Sequence, residues 1–373
     1  MIVGVLKDAA PETRVSILPE HLATLQKWKT SISVETGAGA GAFAADNKYA
    51  EAGATIASRD EVLKTADIVL SINSLPAEDI AKLKPGAVVL GAFQPLFNFS
   101  TMKEWATKGI TTFSLDMIPR TTRAQSMDVL SSQANIAGYK AVLLSATLFP
   151  KYFPMFMTAA GSIKPAKVLI LGAGVAGLQA IATAKRLGAV IEVFDTRPAV
   201  KEEVMSLGAK FVEVEGAADA SKAGGYAVEQ TEEFMQRQKA KIAESVAKAD
   251  IVICTAQIQG RKAPILVTKE MIEAMQNGSV IIDLASSTGG NTELSQDNKT
   301  ISHNGVTIVG NSSLAGTMSS DASKLYGKNI LNFLQLIIDK EGQVNLNFED
   351  DLVKGSCITT RGEVVHDRIK SLI

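Results

Sequence analysis

Histidine, cysteine, long apolar runs and charge of one sign are all scarce in this 373-residue chain, and each shortage excludes something. Lysine and arginine number 38 against 39 aspartates and glutamates, a formal net charge of -1. No basic surplus points to nucleic acid or to an anionic membrane surface. The two cysteines, Cys254 and Cys357, stand far apart with neither a disulfide framework nor metal-ligand spacing, which fits a reducing compartment and no metal site. Cys254 lies in the run Ile251-Val252-Ile253-Cys254 and reads as a buried core thiol. The most apolar segment, Ala141 to Phe156, is broken by Pro150, Lys151 and Pro154. It falls short of the ~20 uninterrupted apolar residues a spanning helix needs. The start, Met1-Ile2-Val3-Gly4-Val5-Leu6-Lys7, reads as a first strand rather than a signal peptide. A soluble, cytoplasmic polypeptide is the expectation.

What is present is an alternation of short β-branched runs with helical stretches, the pattern of parallel sheets covered by helices. The first series predicts strands at Ile2–Leu6, Ser31–Glu35, Asp67–Ile72, Ala87–Phe93 and Ile110–Leu115, with helices such as Pro19–Lys29 and Ala77–Lys84 between them. A second series after Pro165 predicts Lys167–Leu171, Val190–Asp195, Lys210–Val214, Ile251–Thr255, Val280–Asp283 and Val306–Val309. Two stretches of helical spacing, Asp128–Phe149 and Ala322–Lys340, read as long linking helices. The expected fold is therefore α/β: two Rossmann-like doubly wound domains linked by long helices, with a cofactor cleft between them. The first domain would be discontinuous, residues 1–127 plus 322–373, and the second would span 128–321. The tail Gln343–Ile373 would pack back on the first domain.

The second domain carries Gly172-Ala173-Gly174-Val175-Ala176-Gly177 in full context, between the strand Val168-Leu169-Ile170-Leu171 and the helical Leu178–Leu187. Gly172 permits the tight turn, Gly174 lets a pyrophosphate approach the backbone, and Gly177 lets helix and strand pack closely. Asp195 ends the second strand, where a carboxylate can accept both ribose hydroxyls of a dinucleotide. That carboxylate would repel a 2′-phosphate and favours NAD over NADP, although Arg197 could in principle hold such a phosphate. The alternative, a glycine-rich turn without a ligand, is the blander reading.

The stretch Arg120-Thr121-Thr122-Arg123-Ala124-Gln125-Ser126-Met127-Asp128-Val129-Leu130-Ser131-Ser132-Gln133 resembles one family: the NAD(H)-binding component, domain I, of the proton-translocating transhydrogenases, related to alanine dehydrogenase. The likeness runs over nearly the whole chain and is densest from Met117 to Gly188, including MTAAGSI at 157–163 and GAGVAGLQAIATAKRLGA at 172–189. It implies that Arg120 contacts the pyrophosphate, Asp128 and Ser131 hold the nicotinamide carboxamide, and Gln125 reaches toward the NADP(H) ribose of a partner. Ala223-Gly224-Gly225-Tyr226-Ala227 resembles the family's mobile loop, with Tyr226 against the nucleotide. From the residues alone, Ser126 or Asp128 is equally an N-cap for the following helix, and Arg120 and Arg123 could be solvated loop charges. Two departures stand out: Ser287, where the family usually has glutamate, and Leu314-Ala315-Gly316-Thr317, in place of a Pro-Ser-Arg-like stretch.

A free-standing alanine-type dehydrogenase, the alternative, needs a substrate-holding lysine and a general acid/base. The three histidines, His21, His303 and His366, all lie outside the Asp67–Pro95 region where that relative carries both. His21 reads as opening a surface helix and the other two as lying in polar turns, all three solvated. Arg14 matches an arginine that relatives use for a substrate carboxylate, or is a structural ion pair. Hydride exchange between two nicotinamides needs alignment and water exclusion but no such acid/base pair. The resemblance thus implies catalytic positioning by Gln125, Asp128 and Arg120. It further implies NAD(H) on Gly172, Gly174, Val175, Ala176, Gly177, Asp195 and Arg197, and NADP(H) on a partner domain. It also implies a membrane-spanning partner subunit, a homodimer, and a place on the cytoplasmic side of the inner (plasma) membrane held through those partners.

Overall fold

Runs such as Ile68–Leu70, Val88–Gly91, Ile251–Cys254 and Val280–Asp283 are buried along their whole length. A strand apolar on successive residues has both faces covered, the condition of a parallel sheet between helix layers. The computed structural model describes residues 1–214 and 231–373, and these residues divide into two compact units: Met1–Gln133 with Gly316–Ile373, and Ala134–Ala315.

In the first unit eight strands lie in the order Glu363–Val364, Cys357–Thr360, Thr111–Ser114, Val88–Gly91, Ile68–Leu70, Ile2–Val5, Ser31–Glu35, Thr55–Ala57. The six drawn from the first 114 residues are parallel, and the two tail strands are antiparallel. In the second unit the seven-stranded order is Lys210–Phe211, Val190–Phe194, Lys167–Leu171, Ile251–Cys254, Val280–Asp283, Val306–Gly310, Lys299–His303. All pair in parallel except the last. Both sheets are doubly wound. The order reverses between Ile2–Val5 and Ile68–Leu70 in one, and between Lys167–Leu171 and Ile251–Cys254 in the other. Open α/β sheets bind ligands at such switch points, beyond the carboxyl ends of the strands. In the second unit those ends are Gly172 and Thr255.

The helix Val129–Leu148 carries Ala137, Ala141 and Val142 into the core of the second unit. The helix Ser319–Ile337 buries Tyr326, Ile330, Phe333, Leu334 and Ile337 in the core of the first, a stripe at helical spacing. The tail returns to the first sheet, where Cys357 pairs with Phe113. Both thiols are buried core residues, and burial pushes that of Cys357 up to about 12.

Several elements differ from the sequence reading. The strand expected at Lys210–Val214 ends at Phe211. Thr55–Ala57, Lys299–His303, the two tail strands and an antiparallel hairpin, Phe156–Thr158 with Gly161–Ile163, are strands that patterning did not predict. Most lie at sheet edges or in the solvent. There an apolar run is not required, so hydrophobic periodicity has nothing to record.

Candidate functional site

The glycine turn follows Lys167–Leu171 and opens the helix Val175–Arg186. Gly172 has φ +106, and a Cβ there would lie 2.5 Å from Thr255 Oγ1. A Cβ on Gly177 would lie 1.9 Å from the carbonyl oxygen of Gly172. Gly174, the N-cap residue, is different: a Cβ there meets nothing within 4 Å. Two glycines are thus demanded by packing and the third faces open space. The first amides of the helix point out of its N-terminus with no capping side chain, and these donors together with the helix dipole suit a phosphate. This cradle fits a dinucleotide pyrophosphate.

Asp195 sits one residue beyond the strand Val190–Phe194, with its side chain 6% exposed. Its Oδ2 accepts from the backbone N–H of Ala173 at 2.7 Å and from Arg197 Nη2 at 2.8 Å. Its Oδ1 accepts from the Arg197 backbone N–H at 2.8 Å and from Arg197 Nε at 2.9 Å. The acidic residue and the glycine turn are therefore one hydrogen-bonded unit, and Arg197 is folded onto the carboxylate.

Three contributors escaped sequence reasoning. Thr255 Oγ1 donates to the carbonyl of Gly172 at 3.0 Å, tying the loop after Ile251–Cys254 to the turn. Asn291, fully buried, accepts from Ala256 N at 3.0 Å and donates to the carbonyls of Ala256 and Pro264 at 2.8 and 2.9 Å. Gly138 of the long helix is the third: a Cβ there would lie 2.1 Å from the carbonyl of Ala176. Only glycine lets the helix approach so close. The GGN in Ser287-Thr288-Gly289-Gly290-Asn291 was the one available sign of the second. Ser287 itself is exposed, whereas Leu314 and Ala315 of the other departure are buried.

The segment Arg120–Ser131 belongs to the first unit. Its short helix Thr122–Met127 buries Ala124 and Met127 and leaves Gln125 exposed. The carbonyl of Ser126 accepts from Asn329 Nδ2 and Asn332 Nδ2, each at 2.8 Å, and the residue lies inside the short helix rather than at the start of Val129–Leu148, so it is not the cap. Asp128 takes that place. Its Oδ1 accepts from Ser131 N–H at 2.9 Å and its Oδ2 from Ser131 Oγ at 2.6 Å, which also brings together two of the expected ligand residues. Arg120 is exposed. Arg123 is exposed, as a loop charge would be, and pairs with Asp350, and with Asp351 at 3.1 Å. Tyr226 and the glycines before it lie outside the described residues.

At the first unit's switch point Arg14 is a structural ion pair. Its Nε and Nη2 donate to Glu12 at 2.8 and 2.6 Å, and its Nη1 donates to Gln133 Oε1 at 2.8 Å. Burial works against the Glu12 carboxylate, but the bonds and charge of Arg14 outweigh it and hold Glu12 below its ordinary value. Asp8 accepts from Ile72 N, Asn73 N and Ser71 Oγ, and burial still pushes it up. The histidine expectations need correction. His21 is buried, accepts from Leu18 N–H at 3.1 Å and is pushed down by burial. His303 ends a strand 2.9 Å from Glu273, and His366 is half-buried and pushed down by burial. None is a freely solvated side chain.

Comparison with known proteins places this geometry. The profile "Alanine dehydrogenase/PNT, N-terminal domain" matches residues 4–137, and "Alanine dehydrogenase/PNT, C-terminal domain" matches 141–367. The first part of the NAD(P) transhydrogenase subunit alpha of Rhodospirillum rubrum is 45% identical over 376 residues, 98% of each chain. Alanine dehydrogenase of Bacillus subtilis is 25% identical, over 99% of this chain and 94% of that one. A crystal structure of transhydrogenase from Sinorhizobium meliloti superposes with a TM-score of 0.89 at 44% identity, covering 98% of this chain and 100% of that one. The chain belongs to the alanine dehydrogenase/PNT family, and within it resembles the transhydrogenase alpha subunits far more than the alanine dehydrogenases.

Proposed function

We propose that this chain is the NAD(H)-binding component of a proton-translocating transhydrogenase, exchanging hydride between NAD(H) held here and NADP(H) on a partner domain. The observation that carries the reading is the glycine turn: closed by packing at Gly172 and Gly177, open at Gly174, and hydrogen-bonded to Asp195. Bound NAD(H) supplies or accepts the hydride. The backbone of Gly172–Gly177, with Val175 and Ala176 at the helix start, holds the pyrophosphate with Arg120, and Asp195 takes the adenine-side ribose. Asp128 and Ser131 hold the carboxamide. Each Asp128 oxygen gives one lone pair to Ser131 and keeps another, so capping and binding coexist. Gln125, exposed, reaches toward the partner's NADP(H) ribose. The 45% identity to a transhydrogenase alpha subunit, against 25% to an alanine dehydrogenase, favours this over an alanine-type dehydrogenase.

NADH should bind far better than NADPH. Asp195→Asn should weaken NADH about tenfold, the scale of one charge-assisted hydrogen bond, and narrow the gap between the nucleotides. Titration by fluorescence measures both, and equal binding of NADH and NADPH by the unaltered chain would overturn the cofactor assignment.

The remaining partners are the NADP(H)-binding domain and a membrane-spanning subunit, with this chain on the cytoplasmic side of the inner membrane. Among the described residues no helix is long and apolar enough to cross a membrane. A homodimer is supported by the hairpin region, where Met155 is 63%, Met157 72% and Tyr152 52% exposed, and Tyr152 stacks on Phe156 at 5.2 Å. Exposed apolar clusters of this kind mark interfaces, and a two-stranded hairpin gains little stability alone. Light scattering should give a dimer mass that Met157→Asp lowers toward monomer; a monomer at micromolar concentration would count against it.

A further inference from the structure

Resting on the assignment of Asp195 to the adenine-side ribose, the geometry points to Arg197 as the residue that sets how far this site prefers NAD(H) over NADP(H). Among the described residues Asp195 accepts four hydrogen bonds, and they fall into two kinds. Two come from the backbone, Ala173 N–H to Oδ2 and Arg197 N–H to Oδ1. These are fixed: the first belongs to the glycine turn, and the second closes a tight turn of an aspartate onto the amide two residues on. Pro198 follows and holds Arg197 in extended backbone, φ -96 and ψ 109. The other two come from the Arg197 side chain, Nη2 to Oδ2 at 2.8 Å and Nε to Oδ1 at 2.9 Å. Each oxygen thus carries one backbone donor and one guanidinium donor.

A carboxylate oxygen has two lone pairs, so the positions left to a vicinal diol, one on each oxygen, are those the guanidinium takes. Arg197 is a built-in stand-in for the ribose diol. It competes with NAD(H) for Asp195 and must turn aside when the diol docks. Its side chain is 22% exposed, against 6% for Asp195, so it is the more accessible member of the pair. A guanidinium beside the ribose also offsets the repulsion that Asp195 exerts on a 2′-phosphate, which arginine binds well. One side chain therefore lowers affinity for the unphosphorylated ribose and softens rejection of the phosphorylated one.

The test is titration of the full chain with NADH and with NADPH, comparing the unaltered protein, Arg197→Ala and Arg197→Lys, with thermal unfolding to confirm folding. Arg197→Ala should bind NADH about fivefold tighter, the scale of one partly exposed ion pair, and NADPH more weakly. The preference should widen about tenfold or more. Arg197→Lys keeps the charge and loses the fork, so NADH should tighten while NADPH holds. If Arg197→Ala weakens NADH, Arg197 is an ordinary cofactor contact, and if the preference moves less than twofold it sets nothing; either result overturns the inference. Failure of the unaltered chain to bind NADH would instead remove the assignment of the site itself.

Discussion

Gln125→Asn is expected to slow hydride transfer about a hundredfold while the NADH dissociation constant stays within about twofold, because misplacement of about 1 Å costs that much in an alignment-limited step. The substitution shortens the reach by one methylene and keeps the amide. Gln125 is exposed on a short helix anchored by buried Ala124 and Met127, and the Ser126 carbonyl is gripped by Asn329 and Asn332. The segment is held, and the side chain projects from it. Stopped-flow transfer with the NADP(H)-binding component, beside NADH titration, separates the two effects. Asp128→Asn is the contrast: its remaining oxygen still caps Ser131 N–H, but the acceptor for Ser131 Oγ becomes an amide donor and the carboxylate charge is gone, so affinity and rate should fall together at little cost in cap stability. Parallel losses in Gln125→Asn would make that residue an ordinary cofactor contact.

Gly177→Ala is expected to remove measurable NADH binding. The added methyl would lie 1.9 Å from the Gly172 carbonyl, inside any contact distance, and the atom it meets is backbone. Strand and helix must separate at the turn that shapes the cradle, at a cost of about 3 kcal/mol of stability, the upper range for an overpacked core. Calorimetry and NADH titration read the two losses. Gly174→Ala makes the comparison, since a Cβ there meets nothing within 4 Å. It should fold normally and lose affinity only. Unchanged NADH binding in Gly177→Ala would mean that the turn is not the pyrophosphate site.

Much of this is legible in the amino-acid sequence. Central parallel strands such as Ile251–Cys254 are apolar on every residue because both faces are covered, and a run of that kind is easily seen. The glycine turn is legible because each glycine answers a separate demand, and Asp195 because it ends the next strand. Edge elements are not. Every residue of Phe156–Thr158 and Gly161–Ile163 is exposed, and Thr55–Ala57 has three residues with only Ala57 buried. Such segments are strands by virtue of their partners. The same holds for polar groups whose meaning depends on long-range neighbours. His21 looks solvated until Gly327 brings a distant helix against its ring, where a Cβ would lie 2.4 Å away. Arg14 shows no partner beyond its neighbour Glu12 in the sequence, and only the fold brings Gln133 to it. Asn291 is one asparagine among many until its amide is found clamping Ala256 beside the glycine turn.

The most direct test of the account is transfer of an isotope. NADH carrying deuterium at both positions of the reactive carbon of its nicotinamide is mixed with this chain and with an NADP(H)-binding partner domain loaded with NADP+, and the NADPH is analysed by mass spectrometry. The account predicts NADPH bearing the deuterium, formed only when both proteins are present, and no NADH from NAD+ and L-alanine with this chain alone. NADPH without the label, or NADH production from L-alanine, would contradict it.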